Sequence, residues 1–192
     1  MKIIIIGATG TIGSEVVKAL LQNKHEIVRA SRNGEVKVNL DDPVSIRGLF
    51  DKIQGVDAVV SCAGNAAFKP FAELTDADYE LGLRSKLMGQ VSLARIAKDH
   101  LRERGSITLT TGVLAMHPMP GSASISMVNV IIVSLTHGGL TAFIRRPRGI
   151  SSAAARTKPS RPALTIEIDA LPGIGCIAST PVVSVIEPRS RR

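Results

Sequence analysis

The segment KIIIIGATGTIGSEVVKALLQ, residues 2–22, constrains the fold more than any other stretch of this chain. Four consecutive isoleucines make a β-branched run suited to a strand buried on both faces. Gly7, Gly10 and Gly13 follow at three-residue intervals, and Ile12, Val16, Val17, Leu20 and Leu21 then recur at helical spacing. Strand, glycine turn and helix in immediate succession predict the opening of a βαβ unit. The glycines have a physical reason to be there. A helix that starts at the end of a strand turns its first N–H groups and the positive end of its dipole outward, which suits a phosphate. Gly7 permits the tight turn, Gly10 lets a pyrophosphate approach bare backbone, and Gly13 lets the helix pack close to the strand.

The alternation continues. "HEIVRAS" and "GEVKVNL" read as a second and third strand, and "DPVSIRGLFDKI" as a helix capped by Asp42 with Pro43 at its first position. "VDAVVSCAG" is a continuous apolar strand, followed by a loop around Lys69 and Pro70, a helix from about Asp76 to Arg104 and the strand "GSITLTTG". This order predicts an α/β fold, a doubly wound parallel sheet of Rossmann type with right-handed crossovers, as a single domain over residues 1–192. After Asn129 the pattern degrades. One apolar run, "VIIVSL", gives way to a mixture of Pro, Arg and Ser, so an irregular C-terminal third is expected, with residues 130–165 less ordered or less regular than residues 1–129. "ALTIEID" and "PVVSVIE" are candidate strands within it. That texture fits a divergent segment or a shifted reading frame.

Composition narrows the function classes. Apolar residues make up 44% of the chain against 21% charged, with one tyrosine and no tryptophan, which suits an aliphatic core. The net charge of +8 is uneven: +2 over residues 1–129 and +6 over 130–192. The late arginines are scattered, with no aromatic residues interleaved to stack on bases, so a solvated tail is expected and no nucleic-acid partner. The apolar runs fall short of the roughly 20 residues a bilayer span needs, so no membrane partner is expected either. Cys62, Cys176 and the four histidines lack metal-ligand spacing, which predicts no metal site and a reducing cytoplasm.

The glycine spacing G-x-x-G-x-x-G, followed in order by "SRNG", "VNLDD", "SCAG", "SKLMGQ" and "GSITLTTG", resembles the short-chain dehydrogenase/reductase family, in its small bacterial branch, over residues 1–129. The resemblance implies an oxidoreductase that moves hydride between a nicotinamide cofactor and a small carbonyl or alcohol. It implies that Gly7, Thr9, Gly10, Thr11, Ile12 and Gly13 wrap the pyrophosphate. Asn39 and Leu40 would flank the adenine, and Cys62, Ala63 and Gly64 would line the cofactor near its ribose. Ser31 and Arg32 end the second strand with no carboxylate beside them, which favours the 2′-phosphate of NADP over NAD.

The family's proton-transferring Tyr and the Lys four residues after it fall on Ile125 and Asn129. Neither can transfer a proton. Thr111 then stands as a candidate to polarise a carbonyl, Ser124 as a hydroxyl able to reach the same space, and Lys86 as a cation or proton source. The alternative is a non-catalytic NADP(H)-binding protein that senses redox state. Family members pair through the helices after the fourth and fifth strands, which implies a homo-oligomer.

Overall fold

A computed structural model describes residues 1–135 and 183–186. Its sheet contains β1 (Lys2–Ile6), β2 (Glu26–Ser31), β3 (Val36–Lys37), β4 (Val56–Ser61), β5 (Leu101–Thr110) and β6 (Val183–Ile186). Their order is β3-β2-β1-β4-β5-β6, and the first five pair in parallel. α1 (Thr11–Gln22) and α2 (Pro43–Lys52) form where the helical spacing predicts, and the Asp42 carboxylate accepts the Val44 N–H at 2.8 Å to cap α2.

The isoleucine run is explained by its place in this order. β1 is central, and its side chains alternate between two cores. Ile4 and Ile6 pack with Ile46, Phe50, Leu93 and Leu109 on one face, while Ile3 and Ile5 pack with Val16, Val17 and Leu20 of α1 on the other. No position of the run faces water, so none is polar.

The connections differ from the sequence expectation in four places. The helix foreseen over 76–104 is α3 (Asp76–Gly82), a π-helical turn at Leu83–Met88 and α4 (Gly89–Ala97). It stops early because His100 donates its N–H back to Ala97 and stacks its ring on buried Phe50 at 5.2 Å, after which Leu101 pairs with Val56. β5 therefore begins at Leu101, not Gly105. Second, a helix, α5 (Ala123–Ser134), carries the chain past Asn129. It has little amphipathic signal because Ser122, Ser124, Ser126 and Asn129 are buried beside Val128 and Ile132 while Val130 and Ile131 are exposed. Third, β6 realises the candidate strand "PVVSVIE" but lies antiparallel to β5, so the sheet is mixed. Fourth, the third strand is only two residues long. "ALTIEID", and the expectations for residues 136–165, lie outside the described residues.

A side chain secures the end of β5. Gln90 of α4, 1% exposed, donates to the Thr110 carbonyl and accepts the Thr110 N–H, both at 2.9 Å. The backbone entering the next loop is thereby fully paired inside the protein.

Candidate functional site

A cleft of about 250 Å³ opens at the carboxyl ends of β1, β2 and β4, where the strand order reverses between β1 and β4. Open α/β sheets bind ligands at such a switch point. Gly7, Thr9 and Gly10 form one wall and Ser31, Arg32 and Asn33 a second. Asn39, Leu40 and Asp41 come from beyond β3, Cys62 to Asn65 from beyond β4, and Ser85 from the π turn.

The glycine turn has the expected geometry. Gly7 has φ +82°, and a Cβ there would lie 2.9 Å from the Ala63 nitrogen. A Cβ at Gly13 would collide with the Gly7 carbonyl oxygen and push α1 off the strand, whereas one at Gly7 would press on the backbone of Cys62 and Ala63 after β4. At Gly10 an added Cβ meets, among the described residues, only the Gly7 oxygen, at 3.3 Å. Thr11, Ile12 and Gly13 do not line the cleft, but they form the first turn of α1, whose N–H groups cannot pair within the helix.

At the end of β2, Ser31 is 7% exposed and its hydroxyl has no hydrogen-bond partner among the described residues. Arg32 beside it is exposed. Across the cleft, burial pushes the Cys62 thiol up to about 12, so it is a neutral wall group and not a nucleophile.

The three catalytic candidates separate. Thr111 donates its hydroxyl to the Asn129 carbonyl at 3.0 Å, and Ser124 donates to the Asp78 carbonyl at 3.2 Å. Neither lines the cleft, and Lys86 is not among its lining residues either, although its neighbour Ser85 is. Lys86 lays its stem along Gly64, where an added Cβ would be 2.9 Å from Cγ, and burial lowers its ammonium below the ordinary lysine range. Ser85, Asn33, Asp41 and Asn65 line the cleft without having been singled out by sequence. Among the described residues no group of His, Cys, Asp and Glu is arranged to hold a metal, and no helix is long and apolar enough to cross a membrane.

The loop after β4 is anchored to α3. Lys69 reaches the Asp78 carboxylate at 2.7 Å, and the Thr75 hydroxyl and N–H also bond it. Lys69 and then Thr75 hold the Asp78 carboxyl down at about 2. A carboxyl depressed in the folded state stabilises at pH above its usual value of 3.8, and that contribution is lost as pH falls through about 2. The gap in urea midpoint between wild type and Asp78→Asn should therefore be full at neutral pH and close between about pH 4 and pH 2. A gap independent of pH would show that the ion pair is not its source.

Comparison with known proteins agrees with this geometry. Residues 3–118 match the model of the NAD dependent epimerase/dehydratase family. The chain belongs to this family. Among solved structures, the protein lin1944 from Listeria innocua is 40% identical with a TM-score of 0.69, over 78% of this chain and 74% of that one. A small-chain dehydrogenase in complex with NADPH is 25% identical with a TM-score of 0.65, over 71% of this chain and 62% of that one. A hydroxynaphthalene reductase-like protein, Arp2, of Metarhizium brunneum is 32% identical over 98 residues. The chain spans only 37% of that relative and 21% of the other curated relative it matches. Its sheet with flanking helices is Rossmann-like, and over this segment the chain resembles short-chain dehydrogenases/reductases. The cofactor such a family implies fits the residues present: an open cradle at Gly10, a helix N-terminus with no side-chain cap and, among the described residues, a buried hydroxyl without a partner.

Proposed function

We propose that the chain is a single cytoplasmic domain that binds NADP(H) in this cleft and transfers hydride to or from a small carbonyl or alcohol. The unpartnered hydroxyl of Ser31 beside exposed Arg32, at the strand end where a ribose-binding carboxylate would stand for NAD, is the observation that carries the cofactor choice. The glycine turn and the first turn of α1 hold the pyrophosphate, Asn39 and Leu40 flank the adenine, and Cys62 to Gly64 line the ribose. Calorimetric titration with NADPH and NADH tests this. Tighter NADPH binding is expected; equal affinities would remove the preference, and binding of neither would remove the cofactor reading.

On the substrate side, the protons of Thr111 and Ser124 are already given to main-chain carbonyls, so these hydroxyls fix α5 and the β5 loop in place. Lys86 is the candidate that supplies charge and a proton. With a nicotinamide cofactor bound, the cofactor supplies the hydride and the chain supplies orientation and the proton. Lys86→Met should lower the rate of carbonyl reduction about 100-fold while leaving NADPH affinity intact. An unchanged rate would place the proton donor elsewhere. Exposed Met88, at the end of the π turn just before α4, and Val130 and Ile131 on α5 support pairing of two copies through this face.

A further inference from the structure

The π turn at Leu83–Met88 brings Ser85 to the cleft. Its side chain is 7% exposed, and its oxygen accepts the Asn65 N–H at 3.2 Å. A serine within a regular helix commonly returns its proton to the carbonyl four residues earlier. Here no such bond forms, and no described residue accepts the proton. A buried hydroxyl with its lone pair engaged and its proton free, in the wall of a cleft, is a donor that a ligand can complete. The helical defect supports the same conclusion, because single π turns re-aim side chains and concentrate at functional sites.

Position then indicates which part of a ligand it meets. One turn further on, Gly89 lies against Leu40 so closely that an added Cβ would sit 2.9 Å from the Leu40 Cβ. The start of α4 thus meets the Asn39–Leu40 side of the cleft, and Ser85, one turn earlier and bonded to Asn65, lines the same cleft. We infer that Ser85 is a cofactor-binding residue that donates a hydrogen bond to the adenosine half of the dinucleotide, at a ring nitrogen or a ribose oxygen. The inference rests on the cofactor reading above and adds to it a contact outside the glycine turn.

The test uses the full chain and two ligands, NADPH and 2′,5′-ADP, which carries only the adenosine half. Ser85→Ala should weaken both by about 3–10-fold, the worth of one neutral hydrogen bond, with the thermal midpoint little changed. Ser85→Thr, which keeps the hydroxyl, should recover most of the affinity for both. Loss confined to NADPH would put the hydroxyl at the other end of the cofactor and overturn the inference. So would a fall in thermal midpoint with no recovery by Thr, which marks a structural role. Failure of wild type to bind either ligand removes the cofactor reading and this inference together, whereas wild-type binding of both with Ser85→Ala unaltered removes the inference alone.

Discussion

Gly10→Val should abolish measurable NADPH binding while leaving the protein folded. Of the three glycines in the turn, only this one allows a clean experiment. Gly7 sits at positive φ against the backbone of Cys62 and Ala63, and Gly13 against the Gly7 carbonyl, so side chains there would damage the fold and the site together. Gly10 is the N-cap of α1 with φ −80° and ψ 170°, an extended conformation open to any residue, and its missing side chain leaves space. Valine would fill that space with branched carbon atoms where a pyrophosphate is to approach. Overpacking costs about 1–3 kcal/mol in a rigid setting, so affinity should fall about 10–100-fold, with loss of the phosphate contacts added to that. The helix itself should lose only about 1 kcal/mol from a poor N-cap residue. Retained NADPH affinity would move the phosphate site away from the turn.

The turn was legible in sequence because its requirements are local. A strand, three glycines and a helical period are each properties of adjacent residues, and α1 occupies the residues the period predicts, Thr11–Gln22. Asp42 and Pro43 announced α2 for the same reason. What the sequence hid depends on partners distant in the chain. Helix α4 ends where His100 finds Phe50, and β5 starts where Leu101 finds Val56; both partners lie more than 40 residues away. α5 carries little helical signal in the sequence because its serines are buried with their hydroxyls paired inside the protein, as Ser124 is to the Asp78 carbonyl and Ser126 to Ser122, which erases the polar stripe that reveals a surface helix.

The site divides along the same line. Gly7, Gly10, Ser31, Arg32 and Cys62 through Gly64 belong to strand ends, and parallel strands in register bring their ends together. Ser85 arrives through a helical irregularity with no compositional mark, so only the three-dimensional arrangement selects it. The catalytic candidates illustrate the limit most clearly. Thr111 and Ser124 have the right chemistry and the right neighbourhood in sequence, yet what a hydroxyl can do is decided by where its proton points.

Arg32→Ala should reduce NADPH affinity about 10–100-fold and NADH affinity hardly at all. The two cofactors differ only at the adenosine ribose, a 2′-phosphate in one and a 2′-hydroxyl in the other. A charge-assisted bond from a guanidinium to phosphate is worth about 1.5–3 kcal/mol, which converts to that loss, and a hydroxyl offers no charge to lose. Ser31 is the internal control. Its buried hydroxyl contributes a neutral hydrogen bond, so Ser31→Ala should cost NADPH less than Arg32→Ala does. Salt separates the two further. Arg32 is exposed, so its contribution is screened as ionic strength rises, whereas the Ser31 bond inside the cleft is not. Titrations at low and at physiological ionic strength should therefore show the NADPH preference of wild type narrowing with salt and that of Arg32→Ala nearly flat. Parallel losses for NADPH and NADH, or a preference insensitive to both the substitution and salt, would mean that the end of β2 does not read the ribose phosphate.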